Sequence, residues 1–245
     1  MTDKSHLIVN ADDFGQSAGI NSGIVEAHER GIVTSASLMV RWPAAVEAAA
    51  YAREHPDLSL GLHFEVGEWV YRNDSWIPLY SVVPTNDIEA VRDEISRQLA
   101  AFRQLSGKEP SHLDSHQHVH LREPVRSLLA ESSSMLGVPL RHCTAVIRYC
   151  GEFYGQTENG APIPDRITVD GLLRILAALP AGVTELGCHP GHRDELDTMY
   201  RDEREEEVKV LCDSRVRAAI AAMGLELWSF ANLGSGARSP FEFNG

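Results

Sequence analysis

From one end to the other, the chain alternates short β-like runs with longer helical patterns. Few folds accept that alternation, and the simplest is a parallel sheet with helices packed outside it. His6–Asn10 reads as a first strand, followed by a helix over about Ile20–Arg30. Ser35–Val40 and Ser59–Phe64 read as the next two strands, with Ala44–Glu54 as a helix between them. The clearest helix covers Asn86–Leu105, where Ile88, Val91, Ile95, Leu99 and Phe102 recur at three- and four-residue steps on one face. Gly107 follows, where a left-handed cap would end it. His112–His118 reads as a strand before a helix around Pro124–Leu136, and Val183–Cys188 as a further strand. Asp202–Lys209 opens a helix reaching to Met223, and Leu225–Phe230 closes the series.

Closed on itself, such a chain forms an α/β fold of the distorted TIM-like (β/α) barrel type, with parallel strands and outer helices. An open doubly wound sheet is the alternative. Glu65–Pro84 and Tyr149–Pro164 contain glycine, proline and aromatic residues with weak periodicity, and read as long loops at a substrate mouth. No internal repeat or linker divides residues 1–245, which read as a single domain. With 22 basic and 35 acidic residues the formal charge is −13. Such a field disfavours nucleic acid and anionic membranes as partners. The first apolar run, Leu7-Ile8-Val9, is too short for a signal-peptide core, and no stretch is long enough to span a bilayer. A cytoplasmic location is therefore expected, and the four cysteines, without a CxxC pair, read as reduced thiols, most of them buried. A homodimer is the base-rate expectation for assembly.

Three polar clusters share one property, that each ends a predicted strand: Asn10-Ala11-Asp12-Asp13-Phe14-Gly15, Gly61-Leu62-His63-Phe64-Glu65 and Asp114-Ser115-His116-Gln117-His118-Val119-His120. Ligands bind at that edge of parallel α/β sheets, so the clusters can converge. Adjacent carboxylates such as Asp12 and Asp13 repel, and a metal ion makes sense of the pair if one ligates it while the other accepts a proton from water. The competing reading is an N-cap and first-turn acid for the helix near Ile20. A period of two would put Asp114, His116, His118 and His120 on one strand face, with His116 suited to a metal and Asp114 or His118 to the outer shell. His63 stands alone among apolar residues. It fits either an interior histidine or the third protein ligand that a catalytic metal site needs. His189, presented by the Pro190-Gly191 turn, either protonates a leaving amine or merely belongs to a turn. Arg204-Glu205-Glu206-Glu207 reads as a helix start whose acids complement the dipole. Trp69, Tyr71, Trp76 and Tyr80 either stack on a sugar or cover the mouth.

Together with Gly31-Ile32-Val33-Thr34-Ser35 and Cys188-His189-Pro190-Gly191, these motifs resemble, in order and over nearly the whole chain, the YdjC-like carbohydrate deacetylases. That family includes chitooligosaccharide deacetylases and relatives in hopanoid biosynthesis. The resemblance implies a distorted TIM-like barrel, a bound divalent cation and hydrolysis of an N-acetyl group on a sugar or oligosaccharide; mixed His/Asp ligation suits zinc, manganese, cobalt or iron, with magnesium a further candidate. Carried over by motif, Asp13, His63 and His116 resemble the metal ligands and Asp12 the general base, with His189 as a candidate acid. Phosphoester hydrolysis and a non-catalytic sugar-binding module are the rivals. The first is weakened by the absence of a Gly-rich phosphate loop, the second by the presence of Asp12 beside Asp13.

Overall fold

The computed structural model describes residues 5–235. Its strands are β1 (Ser5–Phe14), β2 (Ser35–Leu38), β3 (Ser59–Phe64), β4 (Gly67–Arg72), β5 (Ser75–Ser81), β6 (Leu113–Ser115), β7 (Ile147–Cys150), β8 (Gly182–Cys188) and β9 (Leu225–Trp228). Its helices are α1 (Ala18–Glu29), α2 (Ala45–Glu54), α3 (Ile88–Ser106), α4 (Val125–Leu136), α5 (Val169–Ala177), α6 (Asp202–Leu211) and α7 (Ser214–Ala222). Seven strands pair in parallel in the order β6-β3-β2-β1-β8-β7, with β9 also on β1. This mostly parallel sheet curls into a half-barrel with helices around it.

Strand alternation divides the half-barrel into two environments. Leu7, Val9 and Ala11 of β1, Ala36 and Leu38 of β2, Leu60, Leu62 and Phe64 of β3, and Leu186 and Cys188 of β8 join the core that also holds Ile20, Ile24, Val91, Ile95 and Phe102 of the helices. Side chains of the opposite parity face the concave side. There Ile8, Ile147 and Phe230 form a small apolar floor. Above it Ser37 Oγ donates to Asp114 Oδ2 at 2.6 Å and lies 3.0 Å from His112 Nε2, while Asn10 Nδ2 donates to Ser37 at 2.8 Å and to Asp12 at 2.9 Å. His112 stacks on Phe230 with ring centroids 3.7 Å apart. A Cβ at Gly61 would come within 2.4 Å of that imidazole, which explains a glycine on this strand.

Several expected elements are corrected. Glu65–Pro84 is not a loop: it carries the antiparallel hairpin β4–β5, turned by Asn73 and Asp74 at φ of 52° and 59°. Two left-handed residues are what a tight hairpin turn demands, while Pro78 within β5 and the register shift between Glu68 and Trp69 break the alternation. The strand at His112–His118 stops at Ser115, because the chain enters a 3-10 turn over His116–Leu121 with Gln117 and His118 at φ of 49° and 51°. The long helix from Asp202 breaks after Leu211, and Asp213 caps α7 by accepting the Arg215 N–H. Strand β7 and helix α5 were not anticipated. All four cysteines are free thiols, but only Cys188 is fully buried. Gly107 does take the left-handed cap, at φ 73°.

Candidate metal centre and its surroundings

Adjacent residues on a regular strand point to opposite faces, so Asp12 and Asp13 need a break to share a cleft. The β1–β2 register shifts between Ala11 and Phe14, and Asp13 sits at φ 67°. This bulge turns both carboxylates toward one cavity. The cap reading fails, since Ser17 caps α1 by accepting the Ile20 N–H at 3.2 Å.

Asp13 Oδ1 lies 3.0 Å from His116 Nδ1 and 3.3 Å from His63 Nε2, and its Oδ2 accepts from Arg204 Nη2 at 2.7 Å. One candidate ligand atom from each of Asp13, His63 and His116 lies within 4.8 Å of the other two, and all three residues are buried. His63 Nδ1 is held by Asp114 Oδ1 at 2.8 Å, which fixes the ring and leaves Nε2 facing Asp13. The Nε2 atoms of His63 and His116 are buried without a hydrogen-bond partner. Such orphaned nitrogens beside a carboxylate are the donor set a divalent cation would satisfy, so these residues fit one.

Arg141 organises the other half of the site. Its guanidinium donates to both Asp12 oxygens, at 2.6 and 2.7 Å, to Asp114 Oδ2 at 2.7 Å and to Glu185 Oε1 at 2.7 Å. Burial pulls the Asp12 carboxyl upward, but Arg141 more than reverses this and holds it below its ordinary value. Burial pushes Glu185 up to about 7 against the opposing pull of Arg141. Burial likewise pulls His63 down, yet Asp114 and Asp12 outweigh it and raise the imidazole to about 10. His189 lies with Nε2 3.8 Å from Asp12 Oδ2, and burial, only partly opposed by Asp12, depresses it to about 4. Its backbone N–H donates to Glu207 Oε2 at 2.5 Å, and Glu207 also accepts from the Tyr200 hydroxyl.

The structure thus brings together Asp12, Asp13, His63, His116, Asp114 and His189. His118 is set apart: the left-handed turn carries it away from His116, to the cavity wall beside Tyr149. The shared strand face expected for Asp114, His116, His118 and His120 does not exist, because only Asp114 lies within β6. Of the four loop aromatics, Trp69 and Trp76 line the cavity, Tyr71 packs on Trp76, and Tyr80 donates to Glu65 at 2.7 Å. Arg141, Glu185, Arg204 and Glu207 escaped the sequence reading. For α6 a signal existed: Arg204, Glu207, Val208 and Leu211 are spaced i, i+3, i+4, i+7 and are all buried, so the first two charges lie on the apolar stripe. The dipole reading of Glu207 is corrected accordingly.

Since His63 is raised to about 10, it carries a proton at pH 7 before a cation binds. Ligation needs the lone pair, so loading at pH 7 is expected to release at least one proton per cation, and apparent affinity should rise with pH until about 10. Calorimetry in buffers of different ionisation enthalpy reads this directly. Identical apparent enthalpies in all buffers would contradict it.

The site is thus a buried Asp/His/His group that could hold a metal ion, set at the carboxyl edge of the strands of a curled parallel α/β half-barrel. The chain belongs to the YdjC-like protein family, which it matches over residues 6–222. It is 32% identical to a chitooligosaccharide deacetylase from Serratia marcescens, over 93% of this chain and 98% of that one. It is also 32% identical to a carbohydrate deacetylase from Geobacillus stearothermophilus, over 92% and 96%. Among solved structures, one from Enterococcus faecalis V583, described in connection with cellobiose-phosphate cleavage, superposes with a TM-score of 0.75 at 25% identity, covering 94% of this chain and 99% of that one. Among the described residues, no helix is long and apolar enough to cross a membrane.

Proposed function

We propose that this chain hydrolyses the acetamide of an N-acetylated amino sugar or oligosaccharide. The observation that carries the proposal is the convergence of Asp13, His63 and His116 with Asp12 beside them, in a cavity of about 700 Å³. Asp13, His63 and His116 would hold one divalent cation, whose Lewis acidity would polarise the acetamide carbonyl and acidify a water. Arg204 neutralises Asp13 Oδ2 and leaves Oδ1 toward the two imidazoles. Arg141 keeps Asp12 ionised and oriented, so that this carboxylate takes the proton of the attacking water. As the carbon–oxygen bond forms and the carbon–nitrogen bond breaks, that proton is needed on the departing nitrogen. His189 is neutral at pH 7, so it acts as a carrier that receives the proton from Asp12 and delivers it to the sugar amine. Trp69, Trp76 and Tyr149 in the wall supply flat apolar faces on which a sugar ring stacks. A reducing, cytoplasmic location is part of the same proposal, and the four free thiols support it.

The test is acetate release from a panel of N-acetylated amino sugars, with and without a chelator, beside a generic phosphoester. Acetate release from one or more sugars, lost after chelation and restored by a divalent cation, is expected. Release that survives thorough metal removal, or turnover of the phosphoester alone, would overturn the proposal.

A further inference from the structure

The turn that separates His116 from the following histidines assembles a second group. His118 and His120 come from the 3-10 turn after β6, and His142, at φ 63°, follows Arg141. Their ring centroids lie 5.7 Å apart for His118–His120, 5.4 Å for His118–His142 and 5.6 Å for His120–His142. One ring nitrogen of each lies within 4.8 Å of the other two. His120 is fully buried, at 0% exposure. Its Nδ1 lies 2.6 Å from Ser115 Oγ, which also accepts the His120 backbone N–H at 3.0 Å. With Nδ1–H donating to that hydroxyl, Nε2 keeps a bare lone pair, and it is buried without a partner. His118 Nδ1 is likewise buried and unpartnered.

A buried imidazole nitrogen left unsatisfied is costly, and two of them in a group of three histidines whose ring nitrogens approach within 4.8 Å call for a shared acceptor of lone pairs. We propose that His118, His120 and His142 form a second metal site for one borderline transition-metal dication of the zinc type, separate from the Asp13–His63–His116 group. Three neutral nitrogens without a carboxylate suit zinc, copper, nickel or cobalt and not magnesium or calcium. Ser115 is the outer-shell group that fixes the His120 tautomer. The neighbouring Arg141 does not prohibit a cation, because its charge is matched by Asp12, Asp114 and Glu185. His142 is exposed, so it can swing the remaining distance and gives the ion a route in. Occupancy would tie the turn that carries His116 to the segment that carries Arg141.

Zinc content after equilibrium dialysis at neutral pH, measured by elemental analysis on the full chain, tests this. Wild type is expected to hold two equivalents, and His142→Ala and His63→Gln one each. The groups share no residue, so retention of one equivalent in His63→Gln that is absent from His63→Gln/His142→Ala supports the second site independently of the first. A single equivalent in wild type that His63→Gln removes, or two retained in His142→Ala, overturns it. Cobalt-loaded His142→Cys adds a spectroscopic check: a thiolate-to-cobalt charge-transfer band is expected, and its absence counts against residue 142 as a ligand.

Discussion

Asp12→Asn is expected to lower acetate release by at least ~100-fold while leaving the cation content unchanged, the usual scale for loss of a general base. The substitution is close to isosteric, and the amide oxygen can still accept one hydrogen bond from Arg141. What disappears is the capacity to accept a proton at pH 7. Asp12 is not among the Asp13, His63 and His116 group, so metal analysis of the variant separates a lost base from a lost cation. Arg141 holds Asp12 below the ordinary carboxylate value, so the acidic limb of the pH profile set by Asp12 should lie at low pH, with turnover falling only as pH drops through that low value. Wild-type turnover in Asp12→Asn would remove Asp12 from the reaction.

Arg141→Ala should be the most damaging single change to the fold. The side chain is 1% exposed and stands between Asp12, Asp114 and Glu185. Removing one partner of a buried ion pair typically costs about 3–5 kcal/mol, because the remaining charges are left without compensation. Here three carboxylates would face one another. Their folded-state pKa values would then rise above the unfolded ones, so the deficit is largest at neutral pH and shrinks as pH falls and the carboxyls take up protons. Denaturant unfolding at pH 7 and pH 5 reads both the size and the sign. A loss under about 1 kcal/mol would show that the network matters little to stability. Glu185, already raised to about 7 with Arg141 present, should be the first of the three to protonate.

The predicted and observed elements coincide best where a helix or strand carries its own periodic signature. Helix α3 spans Ile88–Ser106 with Gly107 at its cap, as the spacing of Val91, Ile95, Leu99 and Phe102 implies. Strand β3 covers the expected Ser59–Phe64. Hairpin β4–β5 lacks a clear periodic signature because Pro78 lies within β5 and the register shifts between Glu68 and Trp69, which breaks the apolar–polar alternation of a half-buried strand.

By itself the sequence determined the strand–helix alternation, and with it the edge of the sheet where Asp12, Asp13, His63, His116 and His189 are presented. Each of those features is local: a residue type at the end of a periodic run. Tertiary structure alone decided which charges complete the site. Arg141 reaches Asp12 across 129 residues and Arg204 reaches Asp13 across 191, and ion pairs over such separations leave no local pattern. It also decided how the histidine run is divided. Two left-handed residues, Gln117 and His118, send His116 to one cluster and His118 with His120 to another. That conformation is costly for side chains other than glycine, and it persists where surrounding contacts over-determine it.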